Sequence, residues 1–194
     1  MRWRTSIACD SRVEFGLTTA TMTQSVQNAA DLTEHSIQLD GLAPDQTYFY
    51  SVGLTTFRLA GGDAGHVIHT APAAPTGHAV RVWILGDPGA NTPEARAVRD
   101  GFTLFSGGAL PNFWMILGDN AYETGSDSDY QNGFFSWLGA MLAARPVMPA
   151  FGNHDAISAN ASTQTGPYFD IFDLPKNAEA GGVAYYDDSK GTNV

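Results

Sequence analysis

The chain of 194 residues has little positive charge, a single cysteine and no long apolar run. Its 10 lysines and arginines are outnumbered by 20 aspartates and glutamates, so the formal net charge is −10. A surface that binds nucleic acid needs clustered basic residues, and we therefore expect no nucleic-acid partner. Cys9 has no second cysteine with which to form an internal disulfide. No apolar stretch approaches the length that spans a membrane.

The N-terminal part of the chain carries the pattern of short β-strands. Arg12–Leu17 alternates apolar and polar residues, and Thr47–Val52 is rich in aromatic and β-branched residues. Several short strands at this spacing predict a β-sandwich. We place this all-β domain at residues 1–71, a linker rich in proline and alanine at residues 72–77, and a second domain at residues 78–194.

The second domain alternates strands with helices. A first helix is predicted to begin at Asn91–Glu94, where a capping residue precedes Pro93, and a second to run from about Ser128 to Pro146. The apolar face of the first helix is predicted to contain Ala95, Val98, Phe102 and Phe105, and that of the second Phe134, Leu138, Met141 and Leu142. Alternation of this kind predicts parallel strands joined by crossover helices.

Three apolar runs in this domain each end in a glycine turn that carries polar residues. The turns contain Asp87, Asp119, and the triplet Asn153, His154 and Asp155. Because the carboxyl ends of parallel strands meet at one edge of a sheet, these side chains are expected to converge there. Carboxylate, amide and imidazole groups are ligands for hard divalent and trivalent cations. The pattern therefore predicts one half of a two-metal hydrolytic site.

These motifs resemble those of the calcineurin-like metallophosphoesterases, which carry Asp-X-Gly, Gly-Asp and Gly-Asn-His followed by an acid. The spacing of Tyr122, three residues after Asp119, is similar to that in the purple acid phosphatases, in which a phenolate binds a ferric ion. The segment Thr165–Asp170, followed by Leu174–Pro175 and Gly181–Gly182, is similar to bacterial members.

The N-terminal domain adds to the resemblance. Gly41–Pro44 with Tyr48 and Tyr50 resembles a fibronectin type III module, and the larger purple acid phosphatases carry such a module ahead of the catalytic domain. The implied fold is a fibronectin III-like sandwich followed by the first half of a metallophosphoesterase domain, a ββ-sandwich with flanking helices.

The resemblance implies a role for each residue of the site. Asp87 and Tyr122 would hold Fe(III), Asp119 would bridge two metals, and Asn153 would bind a divalent Fe, Zn or Mn ion. A metal-bound hydroxide would then attack a phosphate monoester in line. His154 would contact the substrate phosphate, and Asp155 would orient His154 or nearby backbone. The substrate partner would be a phosphate ester.

Other interpretations of these residues stay open. Tyr122 could be a packing aromatic residue, and His154 a buried structural histidine. A phosphodiesterase of the same superfamily with Mn or Zn pairs is the runner-up, although Tyr122 argues against it. A third possibility is a non-catalytic module that binds a surface or glycan, with a degenerate phosphatase half. The physiological substrate and the oligomeric state cannot be deduced from the sequence.

Histidine is scarce where the resemblance requires it. The family completes its site with further histidines, including a Gly-His-X-His motif, whereas none of the five histidines here follows His154. We therefore expect a fragment with an incomplete, inactive site, which would leave the sheet residues Trp83, Trp114 and Met115 exposed. Met1–Thr5 alternates as a strand does, and the N-terminus does not have the pattern of a signal peptide. The parent protein is expected to be extracellular or periplasmic.

Overall fold

The computed structural model describes residues 1–73, 77 and 79–173. Two compact units share the chain, the first built on Met1–Val80 and the second beginning at Arg81. No helix among the described residues is long and apolar enough to cross a membrane.

Some sequence predictions fall outside the described residues. Half of the predicted linker at residues 72–77 lies there, as does the part of the predicted second domain from residue 174 onward. Leu174–Pro175 and Gly181–Gly182 are also outside. The domain boundaries at residues 1–71 and 78–194 therefore stay predictions.

The first unit is a single antiparallel sheet of five strands. They are β1 (Arg2–Gly16), β2 (Gln24–Ser36), β3 (Thr47–Gly53), β4 (Arg58–Gly61) and β5 (Val67–His69). The order across the sheet is β2-β1-β3-β4, and β5 pairs with the beginning of β3. Its buried side chains are Val13, Phe15, Ile37, Tyr48, Tyr50 and Val52.

The expected two-sheet sandwich is wrong for the described residues, since all five strands join one hydrogen-bonded sheet. The reason lies in β1 and β2, which pair along a long hairpin from Arg2↔Ser36 to Phe15↔Gln24. Most of β2 is polar and exposed, so its sequence lacks the alternation that marks a half-buried strand. Two parts of the fibronectin resemblance do meet, because the Tyr48 hydroxyl accepts a hydrogen bond from the Ala43 amide in the turn at 3.0 Å. The fibronectin III-like identity stays a prediction.

The second unit contains a three-stranded parallel sheet with helices in its connections. The strands are β6 (Val82–Leu85), β7 (Phe113–Ile116) and β8 (Val147–Pro149), with β7 in the centre. The helices are α1 (Pro93–Phe105), α2 (Asp127–Asp129), a π-helical segment (Tyr130–Phe135), α3 (Ser136–Ala144), a 3-10 turn (Asp155–Ile157) and α4 (Pro167–Ile171). The predicted alternation of parallel strands and helices is confirmed.

The start of α1 is as predicted, but its apolar face is only partly so. The Thr92 hydroxyl caps the helix by accepting from the Ala95 amide at 3.2 Å. Phe102 stacks on Trp83 with a ring separation of 4.5 Å, whereas Phe105 is 91% exposed. Val98 is exposed as well. At about 100° per residue, Val98 and Phe105 point roughly 60–80° away from Ala95, beyond the contact with the sheet.

The segment between β7 and β8 is helical from Asp127 to Ala144, as predicted, but its part from Tyr130 to Phe135 is π-helical. Phe134, Leu138 and Met141 are buried on its apolar face.

One face of the sheet, with Trp83 and Trp114, is buried, whereas the other face, on which Met115 is half-buried, is partly exposed. Trp83 and Trp114 pair in register and are both buried, so the expectation of exposed tryptophans is wrong. Side chains of successive strand residues point to opposite faces, and the other face carries Ile84 and Met148, which are exposed.

Candidate metal centre

The three turns after β6, β7 and β8 meet at one edge of the parallel sheet. Leu117 donates to the Leu85 carbonyl at 2.9 Å, and Ala150 donates to the Ile116 carbonyl at 2.7 Å, so the strand ends stay aligned. The first turn is bonded directly to the second, since Gly89 donates to the Asp119 carbonyl at 3.2 Å. Tyr122 in turn donates its amide to the Gly89 carbonyl at 3.0 Å.

Glycine allows the third turn to approach the second. A side chain at Gly152 would collide with the backbone nitrogen and the carboxylate of Asp119. Gly118, which faces Gly152, has a φ of 106° that favours glycine. The two turns can therefore place Asp119 and Asn153 next to one another only with glycine at this contact.

Asp119 lies at the centre of the cluster and is 8% exposed. Its Oδ1 accepts a hydrogen bond from the His154 amide at 2.9 Å, and its Oδ2 accepts one from the Tyr122 hydroxyl at 2.9 Å. A carboxylate offers about four lone-pair positions, so these two bonds leave capacity on both oxygens. Asp119 is thus a fixed acceptor that can also bind a cation.

Tyr122 is a phenol held beside negative charge. Burial raises its pKa, and the hydrogen bond to Asp119 and the charges of Asp119, Asp87 and Asp155 raise it further. The phenol therefore keeps its proton at neutral pH, and binding as a phenolate needs a cation that displaces it. The turn after β6 lies close to Tyr122, as the hydrogen bond from the Tyr122 amide to the Gly89 carbonyl shows.

His154 is oriented by a backbone carbonyl. Its Nδ1 lies 2.6 Å from the Glu123 carbonyl oxygen, which can only accept, so Nδ1 carries the proton. This bond is the main reason that the pKa of His154 is raised. The ring also contacts the Tyr122 ring edge to face, with 4.4 Å between the ring centroids. The arrangement leaves Nε2 for another partner and favours the cationic imidazolium.

Asp87 and Asn153 lie at the rim of the cluster, and both are exposed. Asp87 follows β6 with a left-handed φ of 49°. Asn153 lies between Gly152 and His154, both of which contact Asp119. The structure thus brings all the predicted site residues to one sheet edge, but their roles as ligands stay predictions.

Asp155 has a different environment, since it is completely buried. Its Oδ2 accepts from the Asn120 amide at 3.2 Å, the Asn120 side-chain nitrogen at 2.8 Å and the Gly152 amide at 2.9 Å. Its Oδ1 accepts from the Tyr130 hydroxyl at 2.7 Å. We expected Asp155 to orient His154 or nearby backbone, and these bonds connect it to backbone.

Sequence reasoning missed Asn120 and Tyr130. Asn120 is fully buried, and its Oδ1 has no hydrogen-bond partner among the described residues. Asn120 could have been noticed by its position directly after Asp119. Tyr130 gives no such signal, because it reaches Asp155 from the π-helical segment, 25 residues away.

The cluster is rich in negative charge. Among residues 79–173, no lysine or arginine forms an ion pair with Asp87, Asp119 or Asp155. Within the same described part of the chain, no three histidine, cysteine, aspartate or glutamate side chains form a group that could hold a metal. The donors that are present are carboxylate, phenol and amide oxygens, which hard cations prefer.

The spacing of two donors also suits a metal ion. The Tyr122 oxygen lies 2.9 Å from Asp119 Oδ2. Two oxygens bound at right angles to one cation at about 2.0–2.1 Å would be separated by about 2.9 Å. The residues therefore fit a metal, with Asp119 and Tyr122 as its nearest donors.

Residues 80–192 match the family model of the calcineurin-like phosphoesterases, which is more than half of the chain. The chain belongs to this family. Its members hydrolyse phosphoesters with dinuclear metal centres, and the three turns at the sheet edge lie within the matched residues. A comparison with curated proteins finds no match.

Proposed function

We propose that this phosphoesterase hydrolyses phosphate monoesters with a ferric–divalent metal pair, as purple acid phosphatases do. The observation that supports the subtype is the contact between the Tyr122 hydroxyl and Asp119 Oδ2 at 2.9 Å. A phenol in this position can become a ligand of the ion that Asp119 also binds. A phosphoesterase with Mn or Zn pairs has no need of a phenolate there.

The residues of the cluster would divide the work. Asp87 and Tyr122 would hold the ferric ion, Asp119 would contact both ions, and Asn153 would hold the divalent Fe, Zn or Mn ion. When bound, the metals supply Lewis acidity and neutralise negative charge on the phosphoryl group. His154 would donate a hydrogen bond from Nε2 to a phosphate oxygen, because Nδ1 is already engaged by Glu123.

The N-terminal unit is proposed to be related to fibronectin III modules, on the strength of the Tyr48 bond to the turn at Ala43, although its described strands join one sheet and not two. We also propose that the protein acts outside the cytoplasm, in the periplasm or the extracellular space.

Substrate preference tests the monoester assignment. The protein, loaded separately with iron plus zinc, iron plus manganese, or manganese alone, is assayed on 4-nitrophenyl phosphate and bis(4-nitrophenyl) phosphate. Because the sequence predicts an incomplete site, we expect slow turnover at most, and we expect it on the monoester with an iron-containing pair. Faster turnover of the diester with manganese alone would contradict the proposal and favour the phosphodiesterase.

Colour tests the role of Tyr122. A phenolate bound to Fe(III) absorbs visible light by charge transfer, so the iron-loaded protein should be coloured and Tyr122→Phe should remove the band. Tyr168→Phe is a matched control, because Tyr168 is a buried tyrosine whose hydroxyl donates to the Pro149 carbonyl. A band that survives Tyr122→Phe, or an iron-loaded protein without colour, would refute phenolate ligation.

A further inference from the structure

The buried Asp155 carboxylate connects the two turns that carry the predicted bridging and divalent-metal ligands. Asn120, which donates two hydrogen bonds to Asp155 Oδ2, is the residue after Asp119. Gly152, which donates a third, is the residue before Asn153. One carboxylate oxygen therefore fixes the backbone on both sides of the site without itself being accessible to substrate.

Tyr130 supplies the hydrogen bond that the other oxygen of this carboxylate accepts. Its hydroxyl donates to Asp155 Oδ1 at 2.7 Å, and both residues are completely buried. A buried carboxylate is stable only when its oxygens accept hydrogen bonds, since water cannot replace a missing donor. Among the described residues, Tyr130 supplies the hydrogen bond to Oδ1, while backbone and Asn120 supply those to Oδ2.

The ring of Tyr130 is itself held firmly. It packs edge to face on Phe134 and Phe172, with ring separations of 6.1 Å and 5.9 Å. Its hydroxyl is thus presented from a π-helical segment whose position is set by the aromatic core. Segments of π-helix are often found at functional sites.

We propose that Tyr130 is a positioning residue for the metal centre. It holds Asp155 so that this carboxylate ties the turn after β7 to the turn after β8, and it thereby sets the affinity of the site for metal. Tyr130 touches neither substrate nor metal in this scheme. The effect on metal affinity rests on the proposed function, whereas the effect on the two turns does not.

The test compares Tyr130→Phe with Tyr168→Phe in the whole chain. Each substitution removes one buried hydroxyl from the same aromatic core, but Tyr168 donates to the Pro149 carbonyl and not to Asp155. A general loss of packing or stability should affect both variants alike. Only the loss of the Asp155 partner is specific to Tyr130→Phe.

Amide hydrogen exchange without metal gives the first readout. In Tyr130→Phe, the protection of the Asn120 and Gly152 amides should fall at least about 10-fold more than that of the Trp114 amide, which lies within the sheet. Tyr168→Phe should not show this difference. Equal loss at all three amides, or an unchanged pattern in Tyr130→Phe, would overturn the proposal.

Metal titration gives the second readout. The affinity of the apoprotein for Mn²⁺ and Zn²⁺ should fall about 10–100-fold in Tyr130→Phe, as is typical when a group that supports the ligands is lost, and stay near the wild-type value in Tyr168→Phe. An equal affinity in wild type and Tyr130→Phe would overturn the inference. A wild-type protein that binds neither ion would refute the proposed function, and the exchange data would still decide whether Tyr130 fixes the turns.

Discussion

The first unit buries a histidine completely among neutral hydrogen-bond partners, whereas the second unit buries a carboxylate completely. His35 is fully buried, with Ser11 Oγ 2.8 Å from Nδ1 and Thr5 Oγ1 2.9 Å from Nε2. A hydroxyl can donate or accept, so a neutral imidazole is fully satisfied there. Trp3 stacks on its ring at 4.7 Å. This is the pattern of a structural histidine.

The second unit combines satisfied and unsatisfied polar groups. Asp155 has a full set of donors, but Asn120 Oδ1 has no partner among the described residues, and Asp119 accepts from a protonated Tyr122 whose pKa the charge of Asp87 also raises. Uncompensated negative charge at a sheet edge is costly unless a cation binds. The comparison teaches that burial alone does not mark a function. The distinguishing feature is a local charge that the described protein groups leave unbalanced.

Removing the central carboxylate should have the largest effect. In Asp119→Asn the site loses a negative charge and one of the two oxygens that accept from His154 and Tyr122, so metal affinity should fall more than about 100-fold, beyond the loss typical of supporting groups. Isothermal titration with Mn²⁺ or Zn²⁺ measures it. Asp100→Asn, which removes an exposed carboxylate from α1, should leave the affinity unchanged. Equal affinities in all three proteins would show that the negative cluster is not a metal site.

Replacing the satisfied carboxylate should lower stability as well as metal affinity. In Asp155→Asn one oxygen becomes an NH₂ group that faces donors, which leaves at least one buried donor without an acceptor. Such a loss costs about 1–3 kcal/mol of unfolding free energy. Urea denaturation measures it, with the exposed Asp100→Asn as control. A stability equal to wild type would mean that the donors around Asp155 find other partners.

The smallest effect should be the pH dependence due to His35. Burial lowers the pKa of His35, and the charge of Asp10 opposes this only in part. The unfolded chain then binds the proton more readily, with a pKa of about 6.5, so the stabilisation is complete above that pH and is lost as the pH falls toward the folded pKa. Thermal unfolding between pH 7.5 and 5 should show the decline.

Two substitutions separate this effect from general acid sensitivity. His35→Gln should flatten the dependence, while His69→Gln, at an exposed side chain paired with Asp45, should keep it. A decline of the same size in His35→Gln would show that another group causes it. Metal affinity should be the same in His35→Gln and His69→Gln, since both histidines belong to the first unit.

The sequence predicted those parts of the molecule that short-range chemistry determines. The Thr92 cap, the parallel strands and the arrival of Asp87, Asp119 and Asn153 at one sheet edge all follow from local motifs and strand direction. The long hairpin of β1 and β2 could not be predicted, because a polar, exposed strand has no hydrophobic period. Nor could the contact of Tyr130 with Asp155, since it depends on how a helix with an irregular turn packs against the sheet.

The left-handed backbone at Asp87 and Asp119 lowers the stability of the fold at two positions whose carboxylates the predicted site needs. Non-glycine residues in this region carry a conformational cost on the order of 1 kcal/mol, and the φ angles here are 49° and 51°. Glycine would relieve that cost and would also remove the carboxylate. A selection for heat resistance alone should therefore favour Asp87→Gly at the exposed rim, and the thermostable variants it yields would have lost one of the predicted metal ligands.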